Sequence, residues 1–393
     1  MVSSGRDGEQ TAAPEGWTPS ARPFGFYTAM EISYRIGLIR AFKSVADRYW
    51  LERPTRSWWS LRKKHNPCFV VLTYHRVSPT PSPFAIDTVA LPVFERQMRC
   101  LAQHFTVLTI EDLVERLQAG ETIPPDCAAI TFDDGYADNY HHAFPVLTAL
   151  GLPATVYLAT GAVGTGQVLW FDRVLRAFEQ TNCESAHLPY ERKPQTLSPV
   201  TQRARLAARA LFWLRSLPRE RRDASMRTLF TMLGVAPPAE DSSLMLTWDQ
   251  VRTMARQGCR FGSHTVSHPI LSQITMPEVV REVSESKRMI EHAIGRPVTT
   301  FAYPSGRAQD YSPEIVDIVR RAGYRGAVTN TTFGVNAAGE DLYRINRLRP
   351  WEEDLPSFYL KLSWYKLQDS GWRESGASSP LDGAGRACRV ACR

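Results

Sequence analysis

The sequence of 393 residues has no run of about 18 apolar residues, the length that a membrane-spanning helix needs. Residues 1–19 are polar, with acidic residues and prolines, so the apolar segment of a secretory signal peptide is missing. Seven cysteines form an odd set without paired spacing, which gives no disulfide framework. We therefore expect a cytoplasmic protein with free core thiols, among them Cys127 and Cys259.

Strong charge of one sign is also missing, because the formal net charge is only +7 in a chain that is 43% hydrophobic and 22% charged. This is the composition of an ordinary folded protein, and we expect no nucleic-acid partner.

Residues 25–64 differ, since apolar and aromatic residues recur there at helical spacing among basic ones. This basic amphipathic helical segment predicts peripheral contact with the inner membrane face. The alternative is a helix packed on the catalytic domain with solvated charges.

Two adjacent carboxylates follow a short apolar run that is typical of a buried strand. Asp133 and Asp134 come after residues 127–132 and are followed by Gly135. Neighbouring strand residues point to opposite sides, but a turn at Gly135 can bring both carboxylates into one pocket. There they repel each other unless a cation lies close to them. The alternative is two carboxylates on a solvated turn.

A second boundary between apolar and polar residues carries His264 and His268, four positions apart. A pair at this spacing can hold one metal ion from one side of a turn. One carboxylate and two imidazoles leave open positions for water, as in catalytic rather than structural metal sites. The sequence predicts that Asp134, His264 and His268 hold a divalent cation, while Asp133 acts as the base toward a metal-activated water. The alternative is two surface histidines.

These segments resemble a known family. Thr-Phe-Asp-Asp-Gly at 131–135 and His-Thr-Val-Ser-His-Pro at 264–269 resemble the first two motifs of the polysaccharide deacetylases, the NodB-like carbohydrate esterases. Phe-Ala-Tyr-Pro-Ser-Gly at 301–306 matches the third motif in part. The resemblance covers about residues 68–348. It implies a distorted seven-stranded (β/α) barrel and removal of N-acetyl groups from amino sugars of a glycan or a lipid-linked glycan precursor.

The resemblance assigns the same roles to the two aspartates and two histidines, and it implies an oxyanion contact from the Ser305 amide. Zinc is the expected metal, with cobalt, nickel or iron(II) as alternatives. Predicted substrate-binding residues are Tyr136, Tyr303, Pro304 and Arg347.

The chain departs from the family pattern at two positions. Ala302 replaces the arginine that orients the base, and no late histidine is present to act as general acid, because the last one is His292. His75, which ends a predicted strand, is the best replacement for an acid opposite the base; the alternative is a core histidine with a satisfied ring. The candidates for the orienting arginine, which the sequence does not rank, are Arg307, Arg344, Arg347 and Arg349.

Alternation of strand-like and helix-like segments predicts an α/β protein, a (β/α) barrel of about seven strands at residues 65–365. Residues 161–246 or so interrupt the alternation and predict a helical insertion without strands. Residues 1–24 and 375–393 are expected to be disordered.

Three tryptophans are candidates for a sugar-stacking platform: Trp248, Trp351 and Trp364. Each of them alone is more typical of a core aromatic.

Two other classes of function remain open. One is a metal-dependent O-acyl esterase or other hydrolase, and the other is a catalytically weakened glycan-binding homologue. The complete aspartate and histidine set favours an enzyme, while the two departures keep the second class open.

Overall fold

A computed structural model describes residues 68–237, 240–330, 336–337, 339, 341–350, 354–355, 357–359 and 361–362. The predicted lead at 1–24, the basic helical segment at 25–64 and the tail at 375–393 lie outside these residues and stay predictions. The same holds for Trp351 and Trp364. Trp248 is described and packs, partly buried, against the main hydrophobic core.

Strands and helices alternate through most of the described chain. The strands are β1 Cys68–Tyr74, β2 Arg76–Ser78, β3 Thr88–Ala90, β4 Thr106–Leu108, β5 Cys127–Phe132, β6 Thr155–Leu158, β7 Ser185–Ala186, β8 Gln195–Thr196, β9 Arg260–Ser263, β10 Thr300–Ala302, β11 Gly326–Thr329, β12 Asn336–Ala337 and β13 Ile345–Asn346. The α-helices are α1 Leu91–His104, α2 Ile110–Gln118, α3 Phe144–Leu150, α4 Trp170–Gln180, α5 Val200–Arg215, α6 Arg219–Met232, α7 Trp248–Arg256, α8 Met276–Ile294 and α9 Pro313–Arg321. A π-helix at Asn139–Ala143 leads into α3, and a short 3₁₀ helix covers Leu271–Gln273.

Seven parallel strands form a nearly closed barrel in the order β1, β5, β6, β9, β10, β11 and β13. The chain beyond β13 meets β1, because Leu348 pairs in parallel with Leu72. Its N–H donates to the Val71 carbonyl at 2.8 Å, and its carbonyl accepts from the Thr73 N–H at 2.9 Å. The predicted distorted seven-stranded (β/α) barrel is confirmed.

The barrel strands are apolar on both faces, since one side lines the interior and the other meets the helices. All six residues of β5 are buried. Ala128 and Ile130 pack in the cluster beneath the helices, and Cys127 and Ala129 pack in the interior cluster. Cys259 is buried as well, so both predicted core thiols lie in the core. Because the strands are parallel, their C-terminal ends meet at one rim.

Two predicted helix starts are present as capping boxes, in which each N-terminal threonine side chain bonds to a backbone N–H and the residue three positions on bonds back. Thr247 pairs with Gln250 at the start of α7, and Thr275 pairs with Glu278 at the start of α8. These boxes fix where the two helices begin. In the described part of the chain, no helix has the length and apolarity to cross a membrane.

The insertion contains α4, α5 and α6 around a hydrophobic cluster of its own. The expectation that it has no strands is wrong, because β7 and β8 form a small antiparallel pair. Strands of two residues are too short to show an alternating pattern in the sequence. The insertion contacts the barrel rim through Arg215, whose guanidinium pairs with Asp310 at 2.8 Å.

Candidate active site

The two adjacent aspartates lie at the C-terminal end of β5. Asp134 and Gly135 both have left-handed backbone angles, with φ of 72° and 85°. Such a conformation is costly for a residue with a side chain and is found most often at functional sites. The Gly135 N–H donates to the Asp133 carbonyl at 2.9 Å, which closes the turn. This turn gives the two side chains a common pocket, as the sequence predicts.

The loop after β9 carries the two histidines and is held by a carboxylate from α8. Thr265 and His268 have left-handed φ values of 69° and 53°. The Thr265 hydroxyl accepts from the His268 N–H at 3.1 Å. Glu282, which is 4% exposed, accepts from the N–H groups of Val266 and Ser267 at 2.8 and 2.9 Å. The buried carboxylate thereby fixes a strained loop that would otherwise relax.

Asp134, His264 and His268 converge in three dimensions, and one potential ligand atom from each lies within 4.8 Å of the others. Asp134 Oδ1 is 3.6 Å from His264 Nε2 and 3.3 Å from His268 Nε2. The Nδ1 of His264 lies 2.7 Å from the Ala302 carbonyl, which makes Nδ1 the donor. His264 Nε2 is therefore left with a lone pair that faces the carboxylate.

The electrostatics of this cluster fit a cation. Burial, together with the neighbouring Asp133, raises the pKa of Asp134 well above its usual range. Burial lowers the pKa of His264, and burial plus the nearby His264 lowers the pKa of His268 well below its usual range. Asp134 Oδ1 and His268 Nδ1 are buried without a hydrogen-bond partner in the described structure. A carboxylate and two neutral imidazoles are ligands that zinc prefers.

Asp133 is held by Arg347, which directly follows β13 where the barrel closes. Arg347 Nη1 donates to Oδ1 at 2.7 Å and Nη2 donates to Oδ2 at 2.6 Å. Burial raises the pKa of Asp133, but the charge and hydrogen bonds of Arg347, together with the nearby His264 and His75, outweigh this effect and hold the pKa well below its usual range. Asp133 is thus an oriented, ionised carboxylate at neutral pH.

A family model described as polysaccharide deacetylase matches residues 120–327. The chain belongs to the polysaccharide deacetylase family. Its homologues imply a hydrolase. The chain is also similar to YxkH of Bacillus subtilis (strain 168), whose name describes a polysaccharide deacetylase. The two are 23% identical over 280 residues, which is 71% of this chain and 70% of the relative.

Two solved structures agree with the barrel fold. The Streptococcus pyogenes deacetylase PplD, in complex with acetate, has a TM-score of 0.52 and 21% identity, and the match covers 76% of this chain and 99% of that chain. IcaB from Ammonifex degensii has a TM-score of 0.50 and 19% identity, and the match covers 77% and 98%. At these identities the likeness concerns the fold alone.

Arg347 was predicted both to bind substrate and to be one of four candidates for the orienting arginine. The structure buries its guanidinium against Asp133, as the second prediction requires. Arg347 therefore occupies the position of the orienting arginine that Ala302 lacks. Arg344 pairs with Asp341 at 3.6 Å instead.

His75 lies at the rim, beside Asp133 rather than opposite it. His75 Nε2 is 3.9 Å from Asp133 Oδ2, and the side chain is 16% exposed. Burial lowers the pKa of His75 to about 4, although the charges of Asp87 and Asp133 act in the other direction. The imidazole is therefore neutral at neutral pH, and it faces the Asp133 carboxylate.

The predicted substrate-binding aromatics are less accessible than expected. Tyr136 is 3% exposed and Tyr303 is fully buried. The Tyr136 hydroxyl donates to Asp172 at 2.9 Å, and the Tyr303 ring stacks on Tyr311. Pro304 is buried, whereas Ser305 is partly exposed and has a left-handed φ of 63°. Ser305 is therefore more accessible to a substrate than Tyr136, Tyr303 or Pro304.

Two residues that support the site were not predicted from the sequence. Glu282 lies on the inward stripe of α8 between the apolar Val279 and Val283, and a charged residue on such a stripe is the signal that was overlooked. Asp172, from the insertion, accepts the Tyr136 hydrogen bond. The sequence gives no signal for Asp172, because its contact with Tyr136 depends on how the insertion packs against the barrel rim.

Proposed function

We propose that this chain is a metal-dependent deacetylase that removes N-acetyl groups from the amino sugars of a glycan. The observation that carries the proposal is the convergence of Asp134, His264 and His268 next to an aspartate held by Arg347. Three ligands leave a position open for water and substrate. The similar protein PplD is described in complex with acetate, the product of such a reaction.

Asp134, His264 and His268 would hold the cation, most simply zinc, since one carboxylate and two imidazoles match its ligand preference. When bound, the cation supplies Lewis-acid chemistry by lowering the pKa of water and polarising an acyl oxygen. Asp133 accepts the proton of the water that attacks the acetyl carbon. Arg347 keeps the Asp133 carboxylate ionised and in place during this transfer.

The amine that leaves must gain a proton, because an amide anion is a very poor leaving group. His75 is neutral in the free protein, so the proton it delivers has to arrive during the reaction. The proton that Asp133 takes from water passes to His75 Nε2, across a separation of 3.9 Å in the free protein. Catalytic hydrogen bonds are often this long before substrate binds. His75 then gives the proton to the sugar nitrogen, which balances the reaction.

Ser305 completes the proposed site. Its left-handed backbone follows Pro304 in the loop at the C-terminal end of β10. A backbone N–H at this position would stabilise the negative charge that develops on the acyl oxygen. The family resemblance assigns this contact to the same amide.

The proposed activity predicts acetate release from N-acetylated amino-sugar oligomers that stops on chelation and returns on addition of zinc. The measurement is an enzymatic acetate assay on the full chain, with metal content followed in parallel. An O-acetylated sugar assayed in the same way separates the amidase from an O-acyl esterase. Acetate release that is unaffected by complete metal removal would contradict the metal-dependent reaction.

His75→Ala should reduce turnover of the amide by roughly 10²–10⁴-fold, the usual contribution of a general acid. Turnover of an activated acetate ester should fall much less, because its leaving group departs without a proton. His292→Ala, which removes an exposed histidine near the end of α8, serves as the matched control. Equal losses on amide and ester, or no loss on the amide, would rule out proton delivery by His75.

A further inference from the structure

Four arginines around the rim each have a carboxylate partner in the described structure. Such pairing is expected for guanidinium groups that are partly removed from water, because burying an unpaired charge is costly. The pairs are Arg76 with Asp138 at 2.8 Å, Arg215 with Asp310 at 2.8 Å, Arg347 with Asp133 at 2.6 Å and Arg349 with Asp87 at 2.9 Å.

Arg307 differs from these four, since its guanidinium forms no ion pair with a described carboxylate. Only the backbone N–H of Arg307 bonds to Asp310, donating to Oδ2 at 3.0 Å. The Arg215 guanidinium donates to the same Oδ2 at 2.8 Å. The Arg307 side chain is only partly exposed. Asp310 is therefore bound by the Arg307 backbone and the Arg215 guanidinium, and the Arg307 guanidinium has no ion pair with a carboxylate of the described residues.

Arg307 lies at the proposed catalytic rim. It is two residues after Ser305, in the loop that follows β10. Burial first, and then the charge of Arg215, lowers the pKa of Arg307; the charge of Asp310 acts in the other direction, and Arg349 lowers the pKa further. Arg349 also lowers the pKa of His75. Arg349 follows Leu348, which pairs with Leu72 on the strand that leads to His75.

We propose that Arg307 binds an anionic group, a phosphoester or a carboxylate, that the glycan carries close to its acetylated sugar. This inference rests on the proposed deacetylase function and specifies its substrate class. A guanidinium fork matches both groups through paired hydrogen bonds. The bound anion would neutralise the surplus charge beside Arg215 and Arg349.

The test compares three substrates: an N-acetylglucosamine disaccharide, its 1-phosphate ester, and a disaccharide of N-acetylglucosamine with a uronic acid. In the wild-type protein, one of the two anionic substrates should have the lower KM, and which of them does so identifies the source of the anion. Arg307→Gln should raise that KM by about tenfold to a hundredfold, the range for hydrogen bonds to charged groups. The KM for the neutral disaccharide should change much less. Arg307→Lys should recover part of the loss, since it keeps the charge without the fork.

Arg296→Gln is the matched control, because it removes an exposed arginine next to the cavity at the other end of the barrel. It should leave all three KM values unchanged. Calorimetric binding of glucosamine 1-phosphate, glucuronic acid and glucosamine gives a readout that needs no turnover. If the protein turns over the neutral sugar but Arg307→Gln changes the KM and the affinity of all three ligands equally, the anion site is overturned and the deacetylase function is not. Absence of any turnover would overturn the deacetylase function, and the binding measurement would still decide the role of Arg307.

Discussion

His264→Ala is expected to remove both the metal ion and the activity. His264 Nε2 faces Asp134 while its Nδ1 is used by the Ala302 carbonyl, so alanine removes an oriented ligand. The two residues that remain cannot enclose a cation. The loss of metal affinity should exceed the roughly 10–100-fold change that mutation of a ligand's supporting partner causes. Metal content of the purified protein, measured by emission spectrometry together with acetate release, checks this.

The matched control for this variant is His187→Ala, which removes an exposed histidine from the insertion. It should keep full metal content and activity. Circular dichroism of His264→Ala should retain the barrel signal, because the ligands lie at the rim and not in the interior cluster. Full metal occupancy in a folded His264→Ala protein would end the assignment of this site.

Asp133→Asn should keep the metal and lose about 10²–10⁴-fold in turnover, the contribution expected of a general base. Asparagine preserves the shape of the side chain but cannot accept the proton of water. Asp134→Asn is the paired variant, and it should lose metal because Asp134 Oδ1 faces both histidines. The reverse pattern, with metal lost from Asp133→Asn and kept by Asp134→Asn, would exchange the two roles.

The pH profile tests the same base through its arginine. Asp133 has a pKa well below its usual range and His75 a pKa of about 4, so both are deprotonated at neutral pH. The acid limb of kcat/KM should therefore lie near pH 4 or lower. In Arg347→Gln, burial still raises the pKa of Asp133 but the opposing charge is gone. The acid limb should then move to higher pH.

Arg347→Lys separates charge from orientation. Lysine keeps a positive charge near Asp133 but cannot bond to both carboxylate oxygens at once. The acid limb should shift less than in Arg347→Gln, while turnover should fall in both variants. An unchanged acid limb in a folded Arg347→Gln protein would show that Arg347 does not set the pKa of the base.

The sequence by itself determined the barrel and the convergence of Asp134, His264 and His268. Apolar runs alternate with helix-length segments that require parallel strands, and parallel strands bring their C-terminal ends to one rim. Asp134 follows β5 and His264 follows β9, so both had to lie at that rim. Local chain geometry therefore carried this part of the prediction. The short strands β7 and β8 were not predicted, because two residues cannot show the alternation of apolar and polar positions that marks a strand.

Only the tertiary structure decided which arginine holds the Asp133 carboxylate. Four arginines were open from the sequence, and the choice of Arg347 follows from the register in which Leu348 meets Leu72 as the barrel closes. Arg347 and Asp133 are 214 positions apart, so no local pattern links them. Contacts such as those of Glu282 and Asp172 depend likewise on how distant elements pack. Sequence periodicity fixes which face of an element is buried, and packing decides which polar group on that face meets which partner.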